Sequence, residues 1–300
     1  MDVPNTSLSR LEGCFNTTDV PHTDDDECDA MSLLNEVMQQ CNILGNPEQD
    51  RAIHIIGKHF LQNKTDQLFI YIAGVGGSGK THVIHTIVEL FTQCGASQEI
   101  LLSAPTGCAA VLTNGYTIHA LTFLPKSKYK PDQNELENIW WHFRYLIIDE
   151  ISMISAKLFA EISTRICQAR SWDPEMSEKP FGGVNMIFTG DFGQLRPVRA
   201  ASLFSYRLVD VIGPDISQKE QGQTALHGAS LWRQVNQVVE LKTNIRAGSD
   251  QEFVNLLACI RIGRAWDRKH PMTADQLGSG PNYTISDFQT LNSHRFQSLQ

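Results

Sequence analysis

Eight consecutive residues, Gly74-Val75-Gly76-Gly77-Ser78-Gly79-Lys80-Thr81, match the spacing G-x-x-x-x-G-K-[ST] at every fixed position. Glycines let a backbone wrap a phosphate with successive N–H groups turned inward, and a helix that follows adds favourable potential at its N-terminus. Lys80 would reach the β- and γ-phosphates of ATP, and the Thr81 hydroxyl would sit on Mg2+. Sixty-nine residues after Lys80, the pair Asp149-Glu150 closes an apolar run. Asp149 would hold Mg2+ through water, while Glu150 would orient or deprotonate an attacking water. Taken singly, the first block could be a glycine-rich turn and the second a helix N-cap. Taken together they point to nucleotide-dependent phosphoryl chemistry.

That chemistry needs a strand before the glycines and a helix after them, and both are legible. Leu68-Phe69-Ile70-Tyr71-Ile72-Ala73 is a continuous apolar run, as expected of a strand buried on both faces. Val83, Ile84, Ile87, Val88, Leu90 and Phe91 then recur with helical period. Further upstream, Pro47-Glu48-Gln49-Asp50 opens a helical pattern through Ile53, Ile56 and Phe60. Downstream, strands are predicted at Ile100–Leu102, Tyr145–Ile148, Val184–Phe188 and Val238–Leu241, with helical stretches from Thr106 and over 153–169. Strands alternating with helices predict an α/β fold with a parallel sheet and helices on both faces. The carboxylates at the end of Tyr145–Ile148 then lie where open α/β sheets bind their ligands.

Composition narrows the class. The 300 residues carry 25 Lys+Arg against 33 Asp+Glu, a formal net charge of −8. Eleven of the acids but only one base, Arg10, fall in residues 1–50, so the other 250 residues hold 24 bases and 22 acids. The segment 1–43 is therefore expected to be a solvated, disordered acidic stretch, and the overall charge says little about what the folded part binds. No apolar run approaches the ~20 residues of a spanning helix, and the start is polar and acidic, unlike a secretory leader. The seven cysteines are never closer than thirteen residues, which argues against a zinc site or a disulfide framework and for an intracellular chain.

Several blocks surround the two phosphate motifs in fixed order. They are Pro47-Glu48-Gln49, Ser103-Ala104-Pro105-Thr106-Gly107-Cys108-Ala109-Ala110, Thr117-Ile118-His119-Ala120-Leu121, Ile148-Asp149-Glu150-Ile151-Ser152-Met153, Thr189-Gly190-Asp191-Phe192-Gly193-Gln194-Leu195-Arg196-Pro197-Val198 and Leu241-Lys242-Thr243-Asn244-Ile245-Arg246. The set resembles superfamily 1 DNA helicases of the petite-integration-frequency (PIF) type, including the helicase part of Helitron transposons. The resemblance covers about residues 44–262 and implies a RecA-like P-loop NTPase lobe. It implies that Gln49 reads adenine, that Gln194 senses the γ-phosphate, and that Arg246 offsets developing phosphoryl charge. It also implies that Pro105, Thr106 and Gly107, with Thr117 and His119, lie on single-stranded DNA. Arg196 stands where the family usually has proline.

The activity implied is ATP-dependent DNA unwinding with 5′-to-3′ polarity, using ATP and Mg2+, on single-stranded DNA or DNA junctions. Repair, recombination and telomere maintenance are the implied roles, in the nucleus ahead of the mitochondrion. Base-stacking platforms are conceivable at Phe123, Trp140 and Trp141, although core packing is the commoner use of each. Residues 199–236 read as a peripheral insertion and 263–300 as an irregular tail, in which Leu291–Arg295 faintly resembles the beginning of the family's second lobe. With 54 residues after Arg246, that lobe is expected to be missing. Two other readings fit the same residues: another P-loop ATPase, or a non-catalytic, nucleotide-binding remnant of a transposon helicase.

Overall fold

The computed structural model describes residues 24–43, 45–124, 133–205 and 220–246, together with residues 208, 254, 258 and 261. Six strands form one sheet: β1 Phe69–Gly74, β2 Ile100–Ala104, β3 Tyr116–Thr117, β4 Tyr145–Ile148, β5 Asn185–Gly190 and β6 Gln237–Leu241. Their order is β3-β2-β4-β5-β1-β6, and every pairing is parallel. Nine α-helices are described: α1 Asp24–Gln40, α2 Pro47–Leu61, α3 Lys80–Gln93, α4 Gly107–Leu112, α5 Ile118–Thr122, α6 Gln133–Trp140, α7 Ala156–Ala169, α8 Pro174–Glu178 and α9 Glu220–Trp232.

Side chains alternate along each strand, so the sheet feeds two cores. Ile70, Ile72, Tyr145, Ile147 and Ile187 point to the face covered by α1, α2 and α3. Phe69, Tyr71, Leu146, Ile148, Met186 and Phe188 point to the face covered by α7 and α9. The result is three layers, as the apolar runs require. Among the described residues no helix is long and apolar enough to cross a membrane.

Two expectations are corrected. The acidic segment is not structureless through residue 43: α1 begins at Asp24, and five of its first six residues are acids, which favours a helix N-terminus. Its second half buries Leu34, Val37 and Met38, with Ile43 just beyond, against the lobe. Likewise, within the stretch 199–236 expected to be peripheral, α9 is not: it lies along α7 and ends in Trp232, which is 6% exposed, while residues 206–207 and 209–219 lie outside the described residues. That indole meets Tyr71, Phe159, Phe188 and Phe192 with ring centroids 5.4 to 5.9 Å away. Residues 1–23 and 263–300, including Leu291–Arg295, lie outside the described residues.

Candidate functional site

A parallel sheet delivers the C-terminal ends of its strands to one edge, and every block singled out above sits on that edge. The loop after β1 turns through Gly77 (φ 88°) and Gly79 (φ 89°), a left-handed backbone that costs glycine little. Space also demands glycine: a Cβ on Gly77 would lie 2.7 Å from Arg246 Cβ, and one on Gly79 would collide with the Gln49 amide. Lys80 folds back over the loop, its Nζ donating to the carbonyls of Gly74 (2.7 Å) and Val75 (3.3 Å). Burial lowers its pKa, opposed by the charges of Glu150, Asp191 and Asp149. Thr81 follows as the exposed second residue of α3.

Asp149 and Glu150 leave β4 beside the exit of β5. Asp149 is 9% exposed, and its Oδ1 accepts from the Thr189 hydroxyl at 2.5 Å and from the Glu150 N–H at 2.9 Å. Glu150 adopts a left-handed backbone (φ 52°), strain of about 1–3 kcal/mol that sits at this edge of the sheet. Desolvation raises the Glu150 pKa, the neighbouring Asp149 charge raises it further, and Lys80 opposes both. A carboxyl with that bias is a stronger proton acceptor than an ordinary carboxylate.

Three more elements close on the loop. Asn46 caps α2 by accepting from Gln49 N–H (3.1 Å), with Pro47 in the first turn. The cap turns Gln49, 3% exposed, toward the loop, where its Nε2 donates to the Gly79 carbonyl (3.3 Å). After β6, the N–H groups of Ile245 (2.9 Å) and Arg246 (3.1 Å) both donate to the Gly77 carbonyl, and Asn244 Nδ2 donates to that of Gly76 (3.3 Å). From the β5 side, Gln194 Nε2 lies 3.4 Å from where a Cβ on Gly76 would stand. Gln49, Lys80, Gln194 and Arg246 are thus gathered on Gly74–Gly79, while Asp149 and Glu150 face Lys80.

The DNA candidates fall elsewhere on the same edge. Pro105, Thr106 and Gly107 join β2 to α4, and Thr117 and His119 join β3 to α5; in the sheet order, β4 and β5 separate both from β1. Thr106 and Thr117 cap these short helices, accepting from Ala109 N–H and Ala120 N–H at 3.3 Å each. Of the aromatic candidates, Trp140 is fully buried and donates to the Leu121 carbonyl (3.1 Å), and Phe123 packs on the same core. Trp141 departs from the core expectation: it is 53% exposed and packs against Trp172 with the rings tilted by 39° and centroids 4.4 Å apart. Reading the sequence did not single out Thr189, Asp191 or Asn244, although all three lie inside the quoted blocks. Arg261, which grips Asp191, carried no spacing signal at all.

Residues 44–270 match the family model described as PIF1-like helicase. Among curated proteins, the ATP-dependent DNA helicase RRM3 of Saccharomyces cerevisiae is 25% identical over 243 residues, which is 78% of this chain and 30% of that protein. The ATP-dependent DNA helicase PIF1 of Xenopus laevis is 29% identical over 205 residues, 66% of this chain and 28% of that one. The chain therefore spans less than a third of the length of either relative. Among solved structures, the Pif1 helicase of Candida albicans superposes with a TM-score of 0.51 at 23% identity, covering 84% of this chain and 54% of that one. This last likeness speaks for the fold.

Proposed function

The chain belongs to the PIF1-like helicase family, and from that premise we propose that it is an ATP-hydrolysing lobe of a DNA helicase, coupled to 5′-to-3′ tracking on single-stranded DNA and duplex unwinding. The observation that carries the reading is the convergence of Gln49, Lys80, Gln194 and Arg246 on one glycine-rich loop, with Glu150 across from Lys80. The names of the yeast and frog relatives, ATP-dependent DNA helicases, agree with it.

In this reading the loop amides and Lys80 hold the triphosphate, and Lys80 must first leave the carbonyls of Gly74 and Val75. Glu150 takes a proton from water as the water oxygen attacks the γ-phosphorus and the bond to the bridging oxygen of ADP breaks. Gln194 orients the γ-phosphate side, Arg246 meets the charge that develops there, and Gln49 reads adenine. The donor set fits Mg2+: a threonine hydroxyl and one carboxylate, whose Oδ1 is already engaged while, among the described residues, Oδ2 keeps its lone pairs for a hydrated ion. Bound there, Mg2+ would neutralise phosphate charge. Pro105, Thr106, Gly107, Thr117 and His119 would carry the strand, or one arm of a junction. The compartment proposed for a chain acting on DNA is the nucleus, ahead of the mitochondrion.

The test is phosphate release from MgATP by the purified chain, with and without single-stranded DNA, beside Lys80→Ala. Turnover that DNA stimulates and the substitution abolishes is the expected result. ATP binding that depends on Lys80 without any turnover would instead identify a non-catalytic remnant, and RNA-specific stimulation another class of P-loop motor.

A further inference from the structure

The residue that follows β5, Asp191, has a side chain only 2% exposed, and none of the nucleotide contacts above uses it. Its carboxylate is gripped from outside the sheet by Arg261, whose Nη1 donates to Oδ2 at 2.6 Å and whose Nη2 donates to Oδ1. Oδ1 also accepts from the Gly193 N–H (2.9 Å), and the Asp191 carbonyl accepts from the Gln194 N–H (2.9 Å). These bonds close the turn Asp191-Phe192-Gly193-Gln194 on itself. Its other side is set by Phe192, which packs on Phe204, Tyr71 and Trp232 with centroids 4.9 to 5.4 Å away. The guanidinium lies flat on Gly193, where a Cβ would stand 2.5 to 2.8 Å from its Nη1, Cζ and Nη2. At the end of this turn Gln194 reaches the phosphate loop at Gly76.

We propose that Arg261 is a positioning residue, which by clamping Asp191 holds the Gln194 turn in register with the phosphate loop. The proposal deepens the ATPase reading and rests on it. Bidentate pairing fixes both distance and plane, which a lysine in the same place would not. The pair is also unequal: Arg261 is 38% exposed and Asp191 is buried, so losing the guanidinium strands a buried charge within reach of Lys80 and Glu150. Two faults would follow, a loosened turn and an uncompensated carboxylate beside the groups that handle the γ-phosphate.

The experiment compares the full chain with Arg261→Met, Arg261→Lys and the pair Asp191→Asn with Arg261→Met. It reads kcat and KM for MgATP, the Kd for MgADP, and amide exchange over 190–196. For Arg261→Met, kcat falls on the order of 10- to 100-fold, the scale of a misplaced group. The MgADP Kd moves by less than about twofold, because the loop that binds it is untouched. Exchange at Gly193 and Gln194 accelerates, Arg261→Lys recovers part of kcat, and the pair outperforms Arg261→Met alone. Unchanged kcat, or a Kd that weakens in step with kcat, overturns the proposal. If the unmodified chain shows no turnover, the ATPase reading fails, and the exchange data then decide this inference: unaltered protection in Arg261→Met refutes it.

Discussion

Leu34 offers a sharp test of whether α1 belongs to the lobe. Its side chain is 0% exposed and fits a notch at Gly57 of α2, where a Cβ would lie 2.6 Å from Leu34 Cδ1 and 3.0 Å from Cδ2. Leu34→Ala removes the branched end of a fully buried side chain, and such truncations cost about 2–5 kcal/mol, with the larger values where the hole cannot collapse. Two packed helix backbones border this hole, so about 3 kcal/mol is expected, or a melting point lower by about 6–12 °C for a lobe of this size. Gly57→Ala forces a methyl into the same space and costs about 1–3 kcal/mol by overpacking. Combined, the two changes are complementary, because the new methyl fills what Leu34 vacates. The double variant should therefore be more stable than the two losses added together, by about 1 kcal/mol or more. Urea titrations followed by far-ultraviolet circular dichroism give all four stabilities. A loss under about 0.5 kcal/mol for Leu34→Ala, or strict additivity, would refute the packing argument and return α1 to a solvated acidic stretch.

Glu150→Gln should abolish turnover, a loss of about 10²- to 10⁴-fold, while MgATP binding by equilibrium titration persists. In the unmodified chain the raised Glu150 pKa places the acid limb of the kcat–pH profile above the ordinary carboxylate range, since the base works only when ionised. Because the folded state holds that proton more tightly than the unfolded one, ionising Glu150 costs stability as pH rises through the window. Glu150→Gln should accordingly melt higher than the parent at neutral pH. His59 works with the opposite sign. It is 6% exposed, bonded through Nδ1 to the Tyr145 hydroxyl (2.8 Å) and through Nε2 to the Asp66 carbonyl (2.6 Å), and desolvation lowers its pKa below 6.5. The unfolded chain then binds the proton first, so stability present above about pH 6.5 is lost as pH falls toward the lower folded value. Thermal melts of His59→Gln should lose that part of the acid sensitivity.

The phosphate loop, its strand and its helix were readable because glycine spacing and apolar runs are local signals, and Phe69–Gly74 and Lys80–Gln93 fall where those signals put them. What stayed hidden was non-local. The acids Asp24–Glu27 look the same in a disordered tail and in the first turn of a helix; the difference is made by Leu34, Val37 and Met38 finding α2 and α3. Trp232 looked peripheral because nothing in 199–236 announces that four aromatic side chains from β1, β5, α7 and the turn at Phe192 await it. Arg261 lies seventy residues from the carboxylate it holds, and no spacing rule spans that distance.

The edge of the sheet is rigid where the chemistry would occur, and this bears on what must move. Asp149 N–H donates to the Ser103 carbonyl at 2.9 Å, and the Ser103 hydroxyl donates to the Ile147 carbonyl at 3.0 Å. The strand leading to Pro105–Gly107 is thereby laced to the strand leading to Asp149 and Glu150, and the Thr189 hydroxyl laces β5 to the Asp149 carboxylate. Elements joined this closely cannot shift separately without breaking ladder bonds. The contacts that can exchange are those on the loop carbonyls: Lys80 on Gly74 and Val75, Asn244 on Gly76, and the Ile245 and Arg246 amides on Gly77. A triphosphate entering the loop competes with Lys80 first, and Asn244–Arg246 is the segment placed to feel that exchange. Nucleotide-dependent movement in this lobe should therefore begin after β6, not in the strands that hold Glu150 and the candidate DNA residues.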